Sequence, residues 1–227
     1  MIAGHYATAL VAKDYVPSVH IAYYLAASQL PDLAWYSLAV VGMAPLHSHA
    51  GPVALEMVIS HDLLPTLGWI GVAVATGRAV FGAWRPAAMG GLLVALHLVA
   101  DLLAGYPHHI LGPDTPLVGT GLYFSAPYLA VAAEGLFAAG LIGWIGVRDW
   151  QTGVRRSAWT WGTWALLFGG GIGSTFVVAP LLAEFNPNEP LDALAIAGLL
   201  GTYGTQMALL TWAHGRPLSR EAAGVAS

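Results

Sequence analysis

The chain has 227 residues, of which 57% are hydrophobic and only 9% are charged. A typical soluble domain has about 25% charged residues, so this chain cannot cover a water-facing surface. The net charge of −4 and the lack of a basic cluster exclude a nucleic-acid partner, and the absence of cysteine excludes a thiolate metal site and a catalytic thiol. The composition therefore predicts an all-α, polytopic transmembrane helical bundle that forms a single integral membrane domain over residues 1–227.

Six stretches are long and apolar enough to cross a bilayer, which needs about 20 residues per helix. The predicted spans are 17–43, 55–76, 86–104, 122–147, 158–183 and 191–213. Pro31 should kink or break the first span near Leu30, because proline removes a helical hydrogen bond. Residues 1–12 are too short to cross, and we expect them to form a half-helix that folds back on span one through a turn at Lys13–Ser18.

The eight basic residues predict the orientation of the bundle. In a six-span arrangement all of them lie on one side, whereas the loops at 44–54, 105–121 and 184–190 contain no Lys or Arg. The positive-inside rule makes the basic side cytoplasmic. We therefore expect a multi-pass protein of the cell inner membrane, with both termini in the cytoplasm. The small residues of 166–176 predict close helix packing in lipid.

Ionisable side chains within the predicted spans are the strongest functional signal. A charged side chain at a helix centre costs about 2.5–3.5 kcal/mol on insertion scales, so each needs a partner or a purpose. The spans contain six such residues, namely Asp32, His61, Asp62, His97, Asp101 and Glu134. Counting residues along the spans places the first five in the outer half of the membrane and Glu134 nearer the midplane. We expect His5 of the half-helix to lie close to the first five.

Asp101 follows His97 at the i+4 position, so the two side chains share one helix face about 6 Å apart. A helix offers two ligands to one metal ion in this way, and imidazole with carboxylate suits zinc, manganese or iron(II). Two other interpretations remain open: the groups neutralise each other as polar contacts between helices, or they form a proton relay.

Other histidines fall outside this cluster. The loop at 105–121 carries His108, His109 and Asp114, which are either solvated or part of a lid that contributes a ligand. His47 and His49 are expected at the surface, and His20 and His214 near the cytoplasmic face.

Several motifs occur in an order that resembles the bacterial inner-membrane proteins grouped as membrane-bound metal-dependent hydrolases. They are "GHYATALVAK", "AASQLPDLAWY", a Ser-His in span two, "HLVADLL" and "PLVGTGLYFS". The resemblance covers most of the chain and weakens in the last two spans. It implies a divalent metal, zinc first, held by His5, Asp32, His61, His97 and Asp101. This chain departs from the family pattern at Leu96, where a serine is usual, and at Ala104–Gly105, where many members carry Thr-His.

Three functional hypotheses follow. In the first, the metal activates water to hydrolyse a lipid-linked ester or phosphoester, with Asp62 or Glu134 as general base. In the second, the chain is a non-catalytic subunit packed beside other subunits of a larger membrane complex. In the third, it is a transporter or proton pathway that uses Glu134, although no inverted repeat supports this. Membrane lipids are the expected partners in every case.

Overall fold

The computed structural model of the chain describes residues 2–41, 57–173, 193–214 and 219–220, and these ranges are almost entirely helical. The helices are α1 (Ile2–Tyr15), α2 (Ile21–Ser28), α3 (Leu30–Val40), α4 (Val58–His61), α5 (Leu63–Phe81), α6 (Trp84–Ala104), α7 (Leu122–Ser125), α8 (Pro127–Thr152), α9 (Ala158–Trp164) and α10 (Ala193–His214), and α9 continues into a π-helical turn at Ala165–Gly169. Two short antiparallel ribbons join β1 (His108–His109) to β2 (Leu117–Val118), and β3 (Val154–Arg155) to β4 (Ser219–Arg220).

Three helices of the described ranges are long and apolar enough to cross a membrane, namely α5, α6 and α8. They correspond to the predicted spans two, three and four, and the all-α prediction is confirmed. The count of six spans stays a prediction, since spans one, two, five and six each include residues outside the described ranges.

The first predicted span is broken where Pro31 led us to expect it. Helix α2 ends at Ser28 and α3 begins at Leu30, with Gln29 between them and Pro31 in the first turn of α3. Proline is tolerated in a first turn because the amide hydrogen that it lacks has no helical partner there. The break places Asp32 in that same first turn, where the positive end of the helix dipole favours a carboxylate.

The N-terminal helix α1 lies at the centre of the bundle rather than on its surface. It packs against α2, α6 and α8, and Ala7, Ala9 and Leu10 are fully buried. Helix α1 folds back on α2, as predicted for the half-helix, but it continues to Tyr15, so the connection lies at residues 16–20 and not at the predicted Lys13–Ser18. It therefore carries His5 into the interior.

The basic side chains of the described helices lie at the end of the bundle away from His5. Arg156 donates hydrogen bonds to Asp149 and Asp14, and Arg148 pairs with Asp14, so the end of α1 is bound to the end of α8. The Arg156 guanidinium also lies over the Trp164 ring. Charge pairing thus fastens one end of the bundle, and His5, His61 and His97 occupy the other end with Asp32 and Asp101.

Helices α5 and α6 form an antiparallel hairpin that depends on small residues. A Cβ atom at Gly77 would lie 2.8 Å from the Ala87 Cα, and one at Gly91 would lie 2.7 Å from the Val74 side chain. The glycines expected to pack helices in 166–176 behave differently, since Gly169 and Gly173 have open space in the described part of the chain. Among the described residues, Gly77 and Gly91 therefore make the α5–α6 hairpin, which carries His97 and Asp101, a place of close helix approach.

We predict that Gly77→Ala destabilises the protein by about 1–3 kcal/mol, the usual cost of overpacking a well-packed contact. Because the clash is with backbone, side-chain rotation cannot relieve it. The midpoint of thermal unfolding in detergent measures the effect. Gly71→Ala in the same helix is the matched control, since the described residues leave open space there. Equal midpoints for the two variants would contradict this prediction.

Candidate metal centre

Five buried side chains from four helices converge at one end of the bundle. They form two groups whose ligand atoms lie within 4.8 Å of one another, and the two groups share His97. The first group is His5, His97 and Asp101, and the second is Asp32, His61 and His97. These are the five ligands that the sequence and the resemblance predicted, and the buried clusters could hold a metal ion.

His97 and Asp101 of α6 form the centre of the cluster. The His97 Nε2 atom lies 3.3 Å from Asp101 Oδ2, across one helical turn, and 4.0 Å from Asp32 Oδ1. Since α6 ends at Ala104, both side chains lie near the end of a membrane-spanning helix.

His61 reaches the cluster from the short helix α4. Its Nε2 lies 3.2 Å from Asp32 Oδ1, and its Nδ1 lies 2.8 Å from the Ser60 hydroxyl, which also contacts the Met57 carbonyl. When Ser60 donates to Met57, it accepts from His61 Nδ1–H, and the Nε2 lone pair then faces the cluster. Partners of this kind orient histidine ligands in metal sites.

His5 stacks directly on His97. The two ring centroids are 3.7 Å apart with an interplanar angle of 17°, and His5 Nε2 lies 3.4 Å from Asp101 Oδ1. Two imidazolium ions at this separation would repel each other by about 4 kcal/mol at an effective dielectric constant of 20. At most one of the two rings is therefore favourably charged.

Two partners outside the five orient the ligands. His97 Nδ1 lies 2.8 Å from the Ser28 carbonyl, which can only accept, so Nδ1 carries a hydrogen, and in the neutral ring Nε2 presents its lone pair to the carboxylates. Tyr203 of α10 donates a hydrogen bond to Asp32 Oδ2 at 3.1 Å. The C-terminal helix thus takes part in the site.

Both carboxylate oxygens of Glu134 accept hydrogen bonds from other parts of the chain. Its Oε1 accepts hydrogen bonds from the Ala3 and Gly4 amides, at 2.6 and 3.4 Å, and its Oε2 accepts one from the Tyr123 hydroxyl. These amides lie in the first turn of α1, where backbone donors lack helical acceptors. Glu134 therefore caps the helix that carries His5.

Asp62 is fully buried and binds the loop between α6 and α7. Its two oxygens accept hydrogen bonds from the amides of His109 and Gly112, at 3.1 and 2.6 Å. Neither Asp62 nor Glu134 belongs to the two clusters, and the general-base role of each stays a prediction.

The loop folds over the cluster and buries both of its histidines, while Asp114 is exposed. The His108 ring lies 5.3 Å from the His61 ring, nearly parallel to it. Burial lowers the pKa of His108 to about 3, so the ring is neutral at physiological pH. His109 instead donates through Nδ1 to the Thr115 carbonyl.

Sequence reasoning predicted the five side chains that converge here but missed Tyr203 and left His108 undecided. Tyr203 stands in "GTYGT", and no ionisable residue lies at helical spacing to mark it. The burial of His108 depends on loop contacts that no local pattern encodes.

Comparison of the chain with models of known protein families, with curated proteins and with solved structures found no match.

We predict that Glu134→Ala lowers the free energy of unfolding by about 1–3 kcal/mol for each buried donor that loses its acceptor. Glu134→Gln should be milder, because an amide oxygen still accepts from the α1 backbone. Thermal unfolding in detergent compares the two variants. A glutamine variant as unstable as the alanine variant would contradict the capping role.

Proposed function

We propose that this chain is an integral membrane, metal-dependent hydrolase that acts on a lipid-linked ester or phosphoester. The observation that carries the proposal is the convergence of three imidazole Nε2 atoms and two carboxylates, all buried, from separate parts of the chain. Isolated ionisable residues are rare in membranes and mark functional sites. The resemblance in the sequence supports the same assignment.

A bound cation explains the arrangement better than simple charge pairing. When His97 is neutral, its Nε2 lone pair points at carboxylate oxygens, a contact between acceptors that either a proton on Nε2 or a bound cation would relieve. Protonation of His97 alone gives one positive charge to two carboxylates, and the stacking of His5 on His97 opposes a second charge beside it. One divalent cation and two aspartates form a neutral set, which burial favours.

The donor atoms favour zinc, with manganese or iron(II) as alternatives. All of them are imidazole nitrogen or carboxylate oxygen, and the chain has no cysteine to offer a softer ligand. Such an ion, when bound, would lower the pKa of a water molecule and polarise the scissile bond.

The protein's own side chains prepare this site for the cation. The Ser28 backbone carbonyl accepts a hydrogen bond from His97 Nδ1, the Tyr203 hydroxyl donates to one oxygen of Asp32, and the loop that carries His108 covers His61. Fixed ligand orientation and a dry cavity are what a protein contributes to metal catalysis.

The position of the cluster supports a lipid substrate. It lies near the start of α5 and in the last two turns of α6, so in the proposed arrangement it is within reach of the ester or phosphoester groups of a lipid. The basic end of the bundle is opposite, and by the positive-inside rule we propose that the cluster belongs to the outer half of the inner membrane, with cytoplasmic termini.

The first test is metal content. We predict about one zinc, manganese or iron ion per chain in purified wild-type protein, measured by elemental mass spectrometry. His97→Ala should lose the ion, because both ligand groups include that side chain.

His20→Asn is the matched control for that measurement. His20 is exposed and caps α2 through its side chain, and asparagine preserves an N-terminal cap. Wild-type protein without metal, or equal metal content in the His97 and His20 variants, would overturn the metal centre.

The second test is turnover in reconstituted vesicles. We predict that metal-loaded protein releases a fluorescent acyl chain from a labelled phospholipid or phosphate from a long-chain alkyl phosphate. A chelator should abolish the release and added zinc should restore it, whereas Asp32→Ala should remain at the level of protein-free vesicles. Metal-loaded protein inactive on both lipids would contradict the proposed reaction but not the metal centre.

The accessory-subunit and proton-pathway hypotheses stay predictions. Both oxygens of Glu134 are occupied by the α1 amides and Tyr123, so no observation in the described residues favours a proton route through it.

A further inference from the structure

We propose that His108 is a further ligand of this metal centre, presented to it by the loop between α6 and α7. The inference rests on the metal binding proposed above and extends it to a residue outside the two clusters. It concerns which side chains hold the ion, and it is independent of the reaction.

The first support is an unsatisfied buried side chain. His108 is 1% exposed, and neither ring nitrogen has a hydrogen-bond partner among the described residues. Leaving a buried polar group unpaired costs about 1–3 kcal/mol. The neighbouring His109, by contrast, has an acceptor for its Nδ1 in the Thr115 carbonyl. A metal ion would use the free lone pair of His108.

The second support is the spacing of the rings. The His61 ring lies 5.3 Å from the His108 ring and 5.6 Å from the His97 ring. Two imidazoles on one tetrahedral ion would have centroids about 5 Å apart, given a metal–nitrogen distance of about 2.0–2.1 Å. The ring nitrogens of His108 lie outside the two 4.8 Å groups, so a bound ion would draw this ring slightly inward.

The third support is the anchoring of the loop. Asp62 binds the amides of His109 and Gly112, and the Leu64 amide donates to the Ile110 carbonyl. The Thr120 amide donates to the Leu102 carbonyl of α6. These bonds hold both sides of the loop against the helices that carry the cluster, so Asp62 is a positioning residue for His108.

Charge balance also favours an imidazole at this place. Asp32 and Asp101 already neutralise one divalent cation, so any added ligand should be neutral. A neutral histidine meets that condition. Zinc, which takes four ligands, would use part of the enlarged set, and an ion that accepts six could use all of it.

Cobalt(II) binding to a cysteine variant tests the assignment directly. The chain contains no cysteine, so His108→Cys introduces its only thiol. We expect cobalt-loaded His108→Cys to show a near-ultraviolet thiolate-to-cobalt charge-transfer band. His109→Cys is the matched control and should show none, because residue 109 belongs to the same ribbon but its side chain binds Thr115.

A second variant covers the case in which the cysteine protein does not fold. His108→Asn should weaken cobalt affinity by at least about tenfold, the lower end of the cost of disturbing even outer partners of a metal ligand. His109→Asn should have little effect. Cobalt-loaded His108→Cys without the band, or equal affinities for the two asparagine variants, would overturn the proposal. Wild-type protein that binds no cobalt would instead overturn the metal centre itself.

Discussion

The geometry of the cluster depends on the interruption of the helix between α2 and α3, at Gln29. Pro31 breaks the helix, so α2 ends at Ser28. The backbone carbonyl of Ser28, in the last turn of α2, then has no helical partner. That carbonyl accepts the Nδ1 hydrogen of His97 and so determines which nitrogen faces the carboxylates. The same break places Asp32 at the start of a new helix, opposite His61 and His97. One backbone constraint thus positions an acceptor and a ligand together.

Helix ends near a bilayer core need internal partners, since lipid supplies none. Two carboxylates meet this requirement: Glu134 binds the first amides of α1, and Asp62 binds the amides of the covering loop. Each thereby holds a segment that carries a histidine, His5 in one case and His108 in the other. Acidic residues that the sequence suggested as proton acceptors are, in this fold, bound to the backbone that shapes the site.

The two ends of the bundle have different chemistry. At one end Arg148 and Arg156 are neutralised by Asp14 and Asp149, and these ion pairs join α1 and α8 to the segment before α9. At the other end three histidines face two aspartates. Guanidinium groups keep their charge, so each carboxylate of the first set has a permanently charged partner. Imidazoles in the neutral form leave lone pairs available to a cation. This difference is why only the second set is a candidate for binding a cation.

The sequence by itself determined the all-α class with apolar helices and the break at Pro31, and it predicted which five side chains converge. The first two depend on composition or local spacing, namely too few charges for a soluble surface and a proline in a helix, and the pairing of His97 with Asp101 depends on a spacing of four residues. Only the tertiary structure decided that Tyr203 holds Asp32, that Glu134 and Asp62 bind backbone amides, and that His108 is buried against His61. These contacts join residues that are distant in the chain. Nearly every residue has a backbone amide, so residue type does not reveal which amide a carboxylate will bind. Their partners are therefore visible only once the helices are packed.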